Sequence, residues 1–563
     1  MATQHQLLYP FLRQRWRLVG LSVGIGLLNS AVTLLLPLSL GRFYEQFFGG
    51  VSNRGQALNT LGMSWLSGQA WSTFFGMFAA LIVLRGLLGY ANYRLTGTLG
   101  EYFVQEMRER VFAHQLALPT ATHRQKPIGK YLLRYSSDFG SLRRYLTKGG
   151  IGFMQDVLFL TLAGLVLLWL NAPLTGILVF SMLPFLGLLR WINNRLETHT
   201  IQRRDLRSGY VAHVATRLAA LETIKVFNRE SVENEQFAKR SANLTRANRD
   251  ALDWRSALEG VLPVAVYALI FAVLLGVHAL LPNGVSRQTG GILITFILLV
   301  LSLRPVFRRL LRVGSVWRTG RLSLNKLADF FAQPAEDTDH RPALQVTKGV
   351  VVFDAVSFAY VSGKSVLNDL SLSASAGTIT QMPGGPGTGK TTAFNLLLGL
   401  YTPSGGNIRI DGQVVSEHSV ASVRKHVTLA SADVPLLGRT VFEAISYSRK
   451  ADKRPRAEKL LNELQAITNL PGRLHLDDLI GEQGRNLSEG QRSVLRLTRA
   501  LLTRKPILLL DEPFAGLTDD GARQLIDWLD QRADNLTILL ASNREIGTEP
   551  LLPCTHTLIS TLL

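Results

Sequence analysis

The residues best equipped for chemistry lie at Gly384-Gly385-Pro386-Gly387-Thr388-Gly389-Lys390-Thr391-Thr392, which fits the phosphate-loop spacing of Gly, four residues, Gly, Lys and Ser/Thr. Glycines let successive backbone N–H groups curl around phosphate oxygens, Lys390 adds a point charge, and the Thr391 hydroxyl suits a Mg²⁺ ion. The expected ligand is a nucleoside triphosphate. Further along, Ile507-Leu508-Leu509-Leu510-Asp511-Glu512 is an apolar strand ending in two acids. Asp511 is the expected Mg²⁺ ligand, and Glu512 the catalytic group that polarises an attacking water.

Two other stretches are ambiguous when taken alone. Tyr360 closes the strand-like alternation Val356-Ser357-Phe358-Ala359-Tyr360; its ring either stacks on a flat base or ends a strand in the core. Leu487-Ser488-Glu489-Gly490-Gln491, followed by Arg492, Arg496 and Arg499, reads by itself as a serine-capped helix start.

The elements that must position these groups follow from the flanks. Gly377–Met382 reads as a strand entering the glycine loop, and Ala393–Leu398 as the opening of a helix whose positive end faces the phosphates. The chain before this region is different in kind. Long apolar runs at Leu18–Leu40, Trp71–Tyr93, Gly149–Leu170, Leu174–Ile192, Leu258–Leu281 and Gly290–Leu310 predict six membrane spans. Arg13, Arg15 and Arg17 anchor the first on the cytoplasmic side, and there is no cleavable signal pattern before it. Basic residues are sparse in 41–70 and dense in 94–148 and 193–255, which makes the first connection external and the other two internal. Both ends of this half are then inside. The tight turns Asn171-Ala172-Pro173 and Pro282-Asn283-Gly284 are external. The two internal stretches are too long for plain connections and read as helices that continue into the cytoplasm and turn back. Arg85 and Asp156 fall within spans, where charge is expensive; the favoured reading is snorkelling or a structural pair, the other a substrate contact or an Arg85–Asp156 pair.

The net charge of +20 over 563 residues is explained by these arginine-rich internal stretches, so no nucleic-acid partner is expected. The single cysteine, Cys554, excludes an intramolecular disulfide and any multi-cysteine metal site. Domain boundaries are expected at 1–330 for the membrane part, 331–345 for a linker beginning near Pro334, and 346–563 for the globular part. The fold class is multi-domain: a six-helix α transmembrane domain, then an α/β P-loop NTPase domain.

Together these motifs resemble the ATP-binding cassette family, in the form of an exporter-type half-transporter. The resemblance implies that Tyr360 is the adenine-stacking aromatic, that Gly384, Gly385, Pro386, Gly387, Thr388, Gly389, Lys390, Thr391 and Thr392 bind the phosphates of ATP, and that Asp511 and Thr391 hold Mg²⁺. It further implies that Ser488, Gly490 and Gln491 belong to a signature turn, with Glu489 in place of the usual glycine. In such a family two cassettes close head to tail, and each ATP lies between one chain's phosphate loop and the other's signature. Coupling helices near His123–Gly129 and Arg217–Lys225 would carry that closure to the spans. Three positions depart from the pattern. Ala432 stands where the family places a glutamine, Asn543 or Ser542 where it places the switch histidine, and Thr518 at the usual aspartate. Binding is therefore better supported than turnover at this chain's own loop. The expectation is an exporter in a bacterial inner (cytoplasmic) membrane with its cassette in the cytoplasm, moving a hydrophobic or amphipathic peptide, lipid or drug-like substrate. A heterodimer with a hydrolytically complete second half-transporter is favoured over a homodimer. The alternative is a non-hydrolysing, ATP-gated regulatory or structural subunit.

Overall fold

A computed structural model describes residues 2–48, 71–124, 135, 138–280, 287–336, 341–361, 364–382, 384–447 and 451–544. Cys554, the Pro282-Asn283-Gly284 turn, the second half of the His123–Gly129 stretch and residues 337–340 of the expected linker lie outside the described residues. The chain forms two compact units, Met1–Leu116 with Pro127–Gln333, and Ala117–Lys126 with Pro334–Leu563. The short piece Ala117–Lys126, assigned above to the membrane part by chain continuity, thus groups with the second unit. Its Ala117 carbonyl accepts the Glu336 N–H at 2.7 Å, and the Glu336 carboxylate takes both Nη atoms of Arg424 at 2.8 and 3.0 Å.

In the first unit, six helices among the described residues are long and apolar enough to cross a membrane: Trp16–Tyr44, Trp71–Ala117, Phe139–Leu170, Ala172–Ala219, Glu230–Ala279 and Gly290–Phe331. At about 1.5 Å per residue, a helix of 48 residues such as Ala172–Ala219 is more than twice as long as a hydrocarbon core is thick. It must continue beyond the bilayer. The return runs through the short helix Leu221–Val226 into Glu230–Leu280, which places a compact turn within the Arg217–Lys225 stretch. The spans pack through Leu34, Phe159, Leu170, Leu269, Phe296 and Val300.

The Phe139–Leu170 helix is not uniform. Between Tyr145 and Gly152 it widens into a π-helical segment. There the Gly149 carbonyl accepts the Trp317 indole N–H at 2.7 Å. About two turns beyond Gly149, Asp156 is buried and receives Arg309 Nε at 2.9 and 3.0 Å. Asp156 is thus in a structural pair, but with Arg309 and not with Arg85. No ion pair of Arg85 occurs among the described residues.

Among the described residues, the second unit holds two four-stranded sheets. In the antiparallel one the order is β2 (Lys364–Ala374), β1 (Val351–Val361), β4 (Gly405–Ile410), β5 (Gln413–Val414). β1 is a single strand whose register shifts between Phe353 and Val356, with Ala355 at φ 47° absorbing the irregularity. The parallel sheet runs β3 (Ile379–Gln381), β8 (Thr537–Ala541), β7 (Ile507–Asp511), β6 (Val427–Ala430). Parallel sheets are covered on both faces, which is why β7 is an unbroken apolar run. Leu508 and Leu510 enter one core cluster, while Ile507 and Leu509 enter the other.

Candidate functional site: a phosphate loop at the ends of the parallel strands

The loop after β3 leads into the helix Lys390–Leu397. Gly389 caps that helix at φ 89°, and a Cβ there would lie 2.6 Å from Leu367 Cδ2, so both backbone and space demand glycine. Lys390 Nζ donates to the Gly384 and Gly385 carbonyls and, at 2.6 Å, to Asn543 Oδ1. An ammonium has three N–H donors, and all three here face neutral acceptors that phosphate oxygens can replace. The residues present therefore fit a triphosphate.

Next to the lysine, the Thr391 hydroxyl donates to Asp511 Oδ2 at 2.9 Å and approaches Oδ1 at 3.2 Å. Ser431 Oγ donates to the same carboxylate at 3.0 Å. Two hydroxyls on one carboxylate form a cluster of hard oxygen donors that suits Mg²⁺. Ser431 did not emerge from the sequence. The signal for it is strand register: Ala430 pairs with Leu510, so the residues that follow them, Ser431 and Asp511, land side by side.

Glu512 sits at the turn out of β7 with φ 52°, its N–H bonded to the Ala541 carbonyl at 2.8 Å. Its Oε1 accepts the Asn543 backbone N–H at 2.9 Å. The two residues weighed for one position, Ser542 and Asn543, differ in their contacts. Asn543 meets Lys390 and Glu512, whereas buried Ser542 accepts the Arg544 N–H at 3.1 Å. Burial sets the electrostatics. It raises the Asp511 and Glu512 carboxyls, opposed by the hydroxyl bonds on Asp511 and the Asn543 N–H on Glu512. It lowers the Lys390 ammonium, opposed by the charges of Glu512 and Asp511. A hard cation at Asp511 would favour its ionised form.

Tyr360 stands beside the same helix and is 44% exposed, its hydroxyl 3.0 Å from Thr392 Oγ1 and its ring edge-on to Phe358 and Tyr401. Ser488, Gly490 and Gln491 form a separate feature. Ser488 caps the helix Glu489–Leu502 in a capping box with Gln491, whose amide also donates to the Gly472 carbonyl at 2.9 Å. Gln491 is thereby engaged in holding the turn. Glu489 is gripped by Arg492 at 2.6 and 3.0 Å and by Arg496 at 2.8 Å. These bonds outweigh the effect of burial and hold its carboxyl below the usual range. Thr518 caps the helix Asp519–Asp530 through Gly521 N–H at 3.1 Å. Ala432 offers no polar side chain next to Ser431.

The fold is shared with a bacterial Atm1-family ABC exporter solved with ATP bound, at a TM-score of 0.78 and 23% identity over 94% of this chain and 92% of that one. Among curated relatives, the ATP-dependent lipid A-core flippase of Chromobacterium violaceum is 27% identical over 472 residues, which are 82% of this chain and 80% of the relative. That of Thiobacillus denitrificans is 26% identical over 549 residues, 95% of this chain and 90% of the relative. The family model for the ABC transporter transmembrane region matches residues 19–303, and the ABC transporter model matches residues 367–515. Spans and phosphate loop thus lie within one pattern, and the chain belongs to the ABC transporter family as an exporter-type half-transporter, an integral membrane protein of ATP-driven export.

Proposed function

We propose that this chain is the ATP-holding half of a heterodimeric exporter, whose own phosphate loop binds Mg-ATP and turns it over slowly. Lys390 and the loop glycines hold the phosphates, Thr391 and Asp511 hold Mg²⁺, Tyr360 stacks on adenine and Glu512 orients water. The bound Mg²⁺ would neutralise charge on the phosphates. One observation carries the reading: the loop and both acids are gathered, while the neutral amide of Asn543 occupies Lys390. An amide does not exchange a proton near neutral pH as a histidine does. Ala432 and Thr518 remove two more groups of the family pattern. Losing positioned groups of this kind costs several kcal/mol of barrier, on the order of 2–4 per group.

The partner is then a second half-transporter with glutamine and histidine in place, whose ATP would meet Ser488 and Gly490 of this chain. The substrate is a hydrophobic or amphipathic molecule such as a lipid, and the names of the lipid A-core flippases support a lipid-like one. The membrane is the bacterial cytoplasmic membrane, with the cassette in the cytoplasm. Turnover of Mg-ATP by the purified chain tests the assignment: brisk hydrolysis abolished in Glu512→Gln would overturn the heterodimer. The second reading, an ATP-gated subunit without hydrolysis, is favoured by the same Lys390–Asn543 contact. Vesicles holding both half-transporters separate the two. Transport that survives Lys390→Ala in this chain assigns it the passive role.

A further inference from the structure

Two consecutive residues, Asn543 and Arg544, hold both ends of the loop between Glu512 and Asp519. The start of the loop is held by the Asn543 N–H on the Glu512 carboxylate. Its far end is held by the Arg544 guanidinium. Nη1 donates to the Leu517 carbonyl at 2.7 Å and to the Phe514 carbonyl at 3.3 Å, and Nη2 donates to Asp519 Oδ1 at 2.5 Å. A planar fork suits such a grip, since one nitrogen takes two carbonyls while the other takes a carboxylate. Between these ends the loop includes two residues at positive φ, Glu512 at 52° and Gly516 at 77°. Glycine adopts such a φ freely, whereas Glu512 keeps it only when its surroundings over-determine it.

The middle of the loop rests on the signature turn. A Cβ on Gly490 would lie 2.5 Å from the Gly516 carbonyl oxygen, so the two backbones are in direct contact. Ser493 Oγ donates to the Ala515 carbonyl at 3.0 Å, a second tie between the loop and the helix that Ser488 caps. The phosphate site, the loop and the signature turn are therefore joined by contacts that begin at Lys390 with Asn543 and end at Gly490. Arg544 is the side chain that joins the first part to the second.

We propose that Arg544 is a positioning residue that transmits occupancy of the phosphate site to the Phe514–Asp519 loop and, through Gly516 on Gly490, to the signature turn. When phosphate takes Lys390, Asn543 Oδ1 loses its partner, and any adjustment of Asn543 moves the backbone that carries Arg544. Because the guanidinium grips three oxygens of the loop, the loop follows. The proposal concerns contacts within one cassette, and only its consequence for a partner's ATP rests on the composite-site reading above.

The test uses the full-length protein in lipid nanodiscs, with amide hydrogen exchange measured with and without Mg-ATP. In the unaltered protein, Mg-ATP should slow exchange in the phosphate loop, in 514–521 and in 487–493. Arg544→Lys keeps the charge and removes the fork. It should retain ATP-dependent protection at the phosphate loop, with the KM for Mg-ATP within about twofold, while protection in the other two segments is lost and kcat falls about tenfold or more. Asp519→Asn leaves the two carbonyl grips in place and should weaken protection in the same two segments by a smaller factor. Retained protection at 514–521 and 487–493 in Arg544→Lys would overturn the proposal. So would loss of protection in all three segments without nucleotide, which marks a purely structural role. The exchange readout does not depend on how fast this chain hydrolyses ATP, so its failure is distinct from failure of the heterodimer reading.

Discussion

Asn543 Oδ1 lies 2.6 Å from Lys390 Nζ, and the backbone N–H of the same asparagine lies 2.9 Å from Glu512 Oε1. One residue thus occupies both the cation that binds phosphate and the carboxylate expected to orient water. Restoring a titratable ring should change turnover more than binding. Asn543→His should raise Mg-ATP hydrolysis by the purified chain up to about tenfold, the lower range of general acid–base effects being larger still. A phosphate-release assay checks this, and an unchanged or lower rate argues that Ala432 and Thr518 set the limit.

Lys390→Ala removes the ammonium from the site and vacates three acceptors. Charge-assisted bonds to phosphate are the strong ones. The affinity for a fluorescent ATP analogue should fall tenfold or more (about 1.4 kcal/mol or above), measured by titration in nanodiscs.

Asp411 receives the backbone N–H groups of Thr347, Lys348, Gly349 and Val350 at 2.7 to 3.1 Å. Burial alone would raise its pKa, but these donors outweigh burial and bring it to about 2 from 3.8. A carboxyl lowered on folding stabilises the fold above its unfolded pKa, and that contribution is lost as pH falls toward the folded value. Asp411→Asn should therefore cost about 1–2 kcal/mol at neutral pH, after a discount for solvent screening. Thermal melts should show the gap from the unaltered protein narrowing as pH drops below about 4.

In the membrane unit, Asp156 is 8% exposed at its side chain and Arg309 57%, so breaking the pair from either side is unequal. Arg309→Gln leaves a buried carboxylate without its counter-charge and should destabilise the unit by about 3 kcal/mol. Asp156→Asn keeps an acceptor oxygen beside the guanidinium and should cost less, about 1 kcal/mol. Melting of the two variants in detergent, side by side, checks the order.

Much of this was readable along the chain because the signals are local. The phosphate loop is fixed by glycine spacing, and the buried strand Ile507–Asp511 by its unbroken apolar run. The spans follow from length and hydropathy, and the Arg217–Lys225 turn from a helical pattern that had to reverse. Other features depend on what lies beside a residue in space. Ser431 meets Asp511 only through the register of two parallel strands. Ser542 and Asn543 are adjacent at the end of β8, and side chains alternate there, so a single residue of phase decides which one faces Lys390. For Asp156 only Arg85 is named as a partner from the sequence, and the choice of Arg309 is made 153 positions away. The loop from Glu512 to Asp519 shows two turn residues in sequence, but nothing local announces that Arg544 closes it.

The wide segment Tyr145–Gly152 also alters how its helix is to be read. A π turn takes up more residues per revolution than an α turn, so the rotational phase of the helix changes across it. A helical wheel drawn through Phe139–Leu170 with one period would assign Asp156 to the wrong compass bearing relative to Phe139. Two wheels are needed, one on each side of the Gly149 carbonyl that Trp317 engages, and any scan of substitutions along this span has to be phased from Phe153 onward.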